Sequence, residues 1–288
     1  MGYKIEEIFS NGETNVEYYT KGISDTLFIT FDSVNIMKNN EAFGVKFLKT
    51  LNVDILSFRK KRKHGYQDLS FEDFHQIIKG IAYKYKRKIA YGFSLGAYAA
   101  LYYASRIDCE ILAIASRVPA HPVYGTKLED KLSFNHAMDL RFNDKVAPVI
   151  IYDTKNRIDH RYFTEQIQPN FPNLKLIKCD YAGHRVSQHL VQMGVLKNLV
   201  LSVFEQREFE YNKKLRFDSA QYLSILAEAC YKRKKYRWAY KIAKKALKIN
   251  PKNKRASLII SKTASFNLNF YIKQVIKIFR RTTNFQYE

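Results

Sequence analysis

Residues 88–105 read KIAYGFSLGAYAALYYAS, and the change of character inside that stretch decides the fold. Lys88 to Gly92 is short, apolar and β-prone, whereas Tyr98 to Ser105 sets small and aromatic residues at helical spacing. The join between them is Gly92-Phe93-Ser94-Leu95-Gly96. A chain that passes from strand to helix in so few residues turns sharply, and glycines two positions either side of the serine remove the side chains that would collide across the turn. Ser94 is then expected at the C-terminal edge of a sheet with its hydroxyl exposed.

Outward from this turn, the first 205 residues alternate apolar runs with helix-period stretches, the pattern of strands wound with crossover helices in a largely parallel sheet. Tyr3 to Phe9 and Val16 to Thr20 form an expected hairpin around Ser10-Asn11-Gly12. Six further strands are predicted at Thr26 to Phe31, Val53 to Phe58, Lys88 to Gly92, Glu110 to Ala115, Pro148 to Tyr152 and Leu174 to Cys179, apolar enough to be covered on both faces. Between them Phe71, Phe74, Ile77, Ile78, Ile81 and Ala82 share one helix face, with Ser70 as N-cap and Asp73 three residues on. Further helices are expected from Tyr98 to Ser105 and from an Asp159 cap to about Gln168. Residues 119–147 interrupt the alternation and are read as a small cap.

The order of the pieces around Ser94 resembles the α/β-hydrolase superfamily, and the resemblance covers about residues 1–205. It implies a mostly parallel sheet with helices on both faces, and a nucleophile, an acid and a base that follow in chain order after successive strands. His184, in Gly183-His184-Arg185 beyond the last strand, stands where the family places its base. A neutral imidazole there takes the Ser94 proton and later returns it to the leaving group. The acid belongs on the loop after PVIIY, which reads Asp153-Thr154-Lys155-Asn156-Arg157-Ile158-Asp159. Asn156 falls where the carboxylate is usual, so the acid is Asp153 or Asp159; the strand-end Asp153 is slightly favoured, because Asp159 has a competing task as helix N-cap. The resemblance also implies two backbone N–H donors for a developing oxyanion, from Leu95 and from the loop after TLFITF, at Ser33 or Asp32. An acid in that loop is unusual, and Asp32 could instead orient a substrate hydroxyl.

Basic residues gather at the predicted C-terminal strand ends, the edge at which open α/β sheets bind ligands. Arg59 through His64 follow one strand, Arg117 and His121 another, Lys155 and Arg157 a third, and Arg185 adjoins the base. Arg59 and Arg117 are therefore expected to bind an anionic substrate.

The net charge of +22 is unevenly placed: residues 206–288 hold 21 Lys and Arg against 5 Asp and Glu. This second segment, 206–288, is read as a small all-α domain. Leu223, Leu226, Ala227, Ala239, Ala246 and Pro251 have spacings that resemble the tetratricopeptide helical hairpin. Tyr231 to Tyr240 and Tyr271 to Arg281 interleave aromatic and basic residues, suited to a protein partner or an anionic membrane surface; no specific nucleic-acid signature is legible. Cys109, Cys179 and Cys230 lie far apart without metal-ligand spacing, so neither a disulfide framework nor a metal site nor a cofactor is expected. With neither a spanning segment nor a leader core in the first twenty residues, the chain is expected to be cytoplasmic, with the tail able to hold it at the inner membrane surface.

The chemistry implied is that of a serine esterase or deacylase working through an acyl-enzyme on Ser94. The layout resembles bacterial proteins associated with surface polysaccharide synthesis, which implies an acylated glycan or its precursor as substrate. The same site would serve an acyltransferase. A non-catalytic adaptor that binds anionic partners through the basic tail is the reading from a different class.

Overall fold

The structure is a computed structural model that describes residues 2–33, 41–60, 65–125, 134–138, 146–264 and 266. It divides into two compact units, the first Met1–Asp180, His184–Ser187 and Leu196–Tyr211, the second Tyr181–Gly183, Gln188–Val195 and the chain from Asn212.

The first unit is built on eight strands: β1 Lys4–Ser10, β2 Thr14–Thr20, β3 Thr26–Phe31, β4 Asp54–Lys60, β5 Arg87–Phe93, β6 Glu110–Ile114, β7 Val149–Tyr152 and β8 Lys175–Lys178. They form one sheet in the order β1-β2-β4-β3-β5-β6-β7-β8. β2 runs antiparallel to β1 and β4, and every other pairing is parallel. The predicted strands thus all occur, within one or two residues at their ends. One expectation is corrected: β8 is not covered on both faces, because it closes the sheet as an edge strand whose Lys175 and Lys178 are exposed. Lysines at an edge discourage further strand pairing.

Burial explains the central strands. All six residues of β3 are buried, and Phe31 stacks on Phe58 of β4 at 4.9 Å between ring centroids. Helix α1 (Val45–Leu48) is a single turn before β4, and α2 (Phe71–Ile81) lays Phe74, Ile77 and Ile78 into the core. Ser70 caps α2 as predicted: its Oγ accepts the Asp73 N–H at 2.9 Å and donates to the Asp73 carboxylate at 2.7 Å. Tyr103 packs against Phe74 at 5.0 Å and anchors its hydroxyl on the Tyr66 and Leu69 carbonyls. Helix α3 (Leu95–Ala99) widens into a π turn over Ala100–Ala104, so the expected helix starts three residues earlier than its periodicity suggested. Helix α4 (Arg157–Tyr162) likewise continues as a π turn, Phe163–Ile167. α5 (Val186–Gln192) begins in the first unit and belongs to the second from Gln188, α6 (Leu196–Phe204) is the last helix of the first, and Arg87 of β5 donates to the Val203 carbonyl at 2.6 Å. Of the expected cap, 126–133 and 139–145 lie outside the described residues; Asn135 and His136 donate their N–H groups to the Gln67 side-chain oxygen at 2.8 and 2.9 Å.

The regular elements described from Asn212 onward are helices. A 3-10 segment, Lys213–Asp218, leads through the cap Ser219 into α7 (Ala220–Lys232), followed by α8 (Tyr236–Ile249) and α9 (254–264). Their common core sets Tyr222, Leu223 and Ile259 among Ala227, Ala239, Ala243, Ala246 and Ala256, small side chains that let helix backbones approach closely. The stretch 271–281 singled out in the sequence lies outside the described residues. No helix among the described residues is long and apolar enough to cross a membrane.

Candidate active site

Ser94 occupies the turn between β5 and α3 at φ 52°, ψ −117°, a conformation that costs a non-glycine residue about 1–3 kcal/mol and persists only where neighbours enforce it. Three backbone hydrogen bonds do so. Ser94 N–H donates to the Ile114 carbonyl at 2.8 Å, while the Ser94 carbonyl accepts from Tyr98 and Arg117, both at 3.1 Å. The flanking glycines are required by contact: a Cβ on Gly92 would lie 2.3 Å from the Gly96 carbonyl group, and one on Gly96 would lie 2.2 Å from the Phe31 carbonyl oxygen. The second contact also shows that the end of β3 rises against the serine turn.

The base and the acid converge on this serine. His184 Nε2 lies 2.8 Å from Ser94 Oγ, and His184 Nδ1 lies 3.0 Å from each carboxylate oxygen of Asp159. Asp159 is almost fully buried, at 2% exposure, while the His184 side chain keeps 28%, enough to meet a ligand. With Nδ1–H donated to the carboxylate, Nε2 carries the lone pair that faces the serine hydroxyl.

The slight preference for Asp153 is therefore corrected. Asp153 is buried at the end of β7, its Oδ1 accepts the Lys155 N–H at 2.8 Å, and its carbonyl accepts from Asn156, so it shapes the turn. Nor is Asp159 the helix cap. Asn156 caps α4, its side-chain oxygen accepting the N–H groups of Ile158 and Asp159 at 3.2 and 3.3 Å, which leaves the Asp159 carboxylate to the histidine. The signal for this was in the sequence: Asn156 and Asp159 have the spacing of Ser70 and Asp73, a capping residue with an acid three positions on.

Arg117 departs from its expected place on an open rim. Its Nη1 lies 3.8 Å from Asp159 Oδ1, its Nε donates to the Tyr124 carbonyl at 3.3 Å, and its side chain is only 14% exposed. It stands behind the Asp159 carboxylate. Arg59 is likewise withdrawn from solvent, paired with Glu17 at 2.7 Å across β2 and β4. Lys60 is buried with its Nζ 5.5 Å from the centre of the Tyr66 ring, and 61–64 lie outside the described residues. Lys155, Arg157 and Arg185 are exposed.

Asp32 cannot orient a substrate hydroxyl, because its side chain is buried: Oδ1 accepts the Phe43 N–H at 2.9 Å and Oδ2 lies 3.8 Å from Arg59 Nε. Burial pushes its carboxyl up to about 6, against the opposing pull of the Phe43 N–H, Arg59 and Lys60. Its side chain instead ties together the two ends of the loop after β3. Its backbone N–H is committed to the Phe58 carbonyl at 3.0 Å, which removes Asp32 as an oxyanion donor and leaves Ser33 as the next N–H along the chain. Leu95 opens α3, so its N–H has no carbonyl within the helix to bond. His189, near the base in sequence, is fully buried, and that burial lowers its imidazole to about 4. Among the described residues no three His, Cys, Asp or Glu side chains are grouped to hold a metal ion.

No protein-family model matches the chain, and no curated protein does. Solved structures do. An esterase from Pyrococcus furiosus, Pf2001, is 19% identical and aligns over 71% of this chain and 92% of its own with a TM-score of 0.50. The alpha/beta hydrolase domain-containing protein 10 from mouse aligns over 70% of this chain and 99% of its own, at 14% identity and a TM-score of 0.49. Est1E from Butyrivibrio proteoclasticus matches at 11% identity over 71% of this chain and all of its own, with a TM-score of 0.45. The strand order, the serine turn after β5 and the match to the Pyrococcus esterase together make the fold of this chain that of the α/β-hydrolase superfamily.

Proposed function

We propose that the chain is a serine hydrolase that cleaves acyl esters through a covalent acyl-enzyme on Ser94. What carries the reading is the continuous relay from Ser94 Oγ through His184, at 2.8 Å on one side and 3.0 Å on the other, to a buried carboxylate. His184 Nε2 takes the serine proton as Oγ attacks the ester carbonyl, and the charge that develops on the imidazole faces Asp159. The tetrahedral oxygen is met by the Leu95 N–H, with Ser33 as second donor. Collapse expels the alcohol, which receives the proton from Nε2; water then attacks the acyl carbonyl as it gives a proton to the same nitrogen, and the second collapse breaks the Oγ–acyl bond, returns that proton to Ser94 and releases the acid. Where a sugar hydroxyl takes the place of that water, the same steps transfer the acyl group. The substrate class, an acylated glycan or its precursor, rests on the resemblance of the layout.

The adaptor reading rests on an irregular acid loop and an altered oxyanion loop; the contact of Asp159 with His184 weighs against the first and leaves the second. Reaction with a fluorophosphonate probe separates the two readings. Wild type should label stoichiometrically and Ser94→Ala should not; folded wild type that stays unlabelled would overturn the proposal. A panel of p-nitrophenyl esters and acetylated sugars then defines the acyl group and the alcohol.

A further inference from the structure

Helix α8 presents a strongly basic solvent face. Its fourteen residues, YRWAYKIAKKALKI, contain no carboxylate. Ala239, Ala243 and Ala246 point into the helical core. Opposite them, at 100° per residue, Arg237, Lys241, Lys244, Lys245 and Lys248 fill an arc of about 100°, and all five are exposed. Trp238 and Ile249 flank one border of this arc, at 62% and 47% exposure. Trp238, Lys241, Lys245, Lys248 and Ile249 then make one stripe of about 16 Å along the helix. The charge continues beyond the helix, through Lys232 to Lys235 before it and Lys252, Lys254 and Arg255 after it; Glu228 is the carboxylate recorded here, paired with Lys232 and Arg255.

We propose that this face docks on a bilayer rich in anionic lipid, with α8 parallel to the surface, its lysines on the headgroup phosphates and Trp238 and Ile249 entering the interface. Two features select a lipid surface over nucleic acid. A single-stranded nucleic acid is gripped by several exposed rings on which successive bases stack, whereas beside the basic face of α8 the indole of Trp238 is exposed and the ring of Tyr240 is half-buried with Lys244 5.8 Å from its centre. An interfacial helix needs what α8 has, a cationic face bordered by large apolar side chains at each end, with lysine stems that reach past them to the headgroups. Leaving an indole 62% exposed beside a row of cations has no counterpart in the packing of this helix. This inference concerns the helical unit and is independent of the reaction proposed for Ser94.

Trp238 is the chain's one tryptophan, so its emission reports this surface directly. The full chain is titrated with large unilamellar vesicles of phosphatidylcholine containing about 30 mol% phosphatidylglycerol, and separately with pure phosphatidylcholine. The anionic vesicles should bind, shift the emission to the blue and protect Trp238 from aqueous quencher, and about 0.5 M salt should reverse this. The triple variant Lys241→Gln, Lys245→Gln, Lys248→Gln should melt as wild type does, since all three side chains are exposed, and lose about 100-fold in vesicle affinity. Trp238→Phe, followed by flotation, should retain charge-driven binding at reduced affinity. Equal binding to neutral and anionic vesicles, an unshifted Trp238 at saturating anionic lipid, or undiminished binding by the triple variant would each overturn the proposal. So would tight binding of a single-stranded oligonucleotide that shifts Trp238 while the anionic vesicles do not.

Discussion

Replacing Asp159 by Asn tests the relay at its most informative point, because the change preserves volume at a site only 2% exposed and alters charge alone. Its size follows from the geometry. The two carboxylate oxygens are equivalent towards His184 Nδ1, both at 3.0 Å, but Oδ1 also faces Arg117 Nη1 at 3.8 Å. An amide there turns its oxygen to the arginine, which brings its NH2 group to the histidine. Nδ1 must then accept, the ring proton moves to Nε2, and the lone pair that would take the serine proton is gone. The lost attraction between imidazolium and carboxylate, for charges about 3 Å apart at an effective dielectric constant of about 20, is about 5.5 kcal/mol, or about 10⁴ in rate. Asp153→Asn is the matched control. Its amide oxygen still accepts from Lys155, so the rate should stay within about threefold of wild type, equivalent to less than about 1 kcal/mol. The measurement is the second-order rate of fluorophosphonate labelling, with p-nitrophenyl acetate turnover beside it. Asp159→Asn within tenfold of wild type, or Asp153→Asn as the slower of the two, would refute the assignment.

Other consequences can be read in stability. Arg59→Glu should lower the melting temperature and not act on KM, because it leaves Glu17 facing a second carboxylate in a mostly buried pair; the loss expected on urea denaturation is about 3–5 kcal/mol. Gly96→Ala drives a Cβ into the Phe31 carbonyl and should cost about 3 kcal/mol or more, together with probe labelling, whereas Gly2→Ala, where no atom lies within 4 Å, should do neither. Asp32 titrates at about 6 in the folded chain against an ordinary 3.8, with Arg59, Lys60 and Glu17 as its charged neighbours. The folded state therefore holds the proton longer than the unfolded one, so the contribution of Asp32 to stability is full below pH ~4 and is lost as pH rises through ~6, a change of about 3 kcal/mol. Asp32→Asn should flatten that part of the urea-midpoint profile against pH, and an unchanged slope would place the ionisation elsewhere.

Much of this was legible before any coordinates. Eight strands, the serine turn and the histidine all follow from local patterns, because an apolar run of five residues and a Gly-x-Ser-x-Gly turn state their own backbone needs. Ser70 as the cap of α2 followed from the same kind of rule. What escaped was whatever depends on which side chain wins a competition. Asn156 and Asp159 are both good caps in sequence; the structure gives the cap to Asn156, and only then is Asp159 left for the base. Arg59 reads as a rim residue because strand ends face ligands, yet the antiparallel β2 pairs it with Glu17, while Asp32, which reads as facing a ligand, is turned onto the Phe43 N–H and buried. Pairing between distant strands leaves no local mark, so a basic residue at a strand end and a buried ion pair read alike. The π turn after α3 also leaves no mark, since one extra residue in a helix of alanines and tyrosines barely alters its periodicity.

Arg117 links Ser94 and Asp159 by different parts of itself, its amide to the Ser94 carbonyl and its guanidinium towards Asp159. The segment after β6 thus works as a spacing gauge between the turn after β5 and the helix after β7. A lysine at that position would keep the amide link and give up the reach to the acid, uncoupling the set of the nucleophile from the set of the carboxylate. Probe labelling of Arg117→Lys that slows while the melting temperature holds is the signature of a gauge that has lost one arm; labelling at the wild-type rate would refute it.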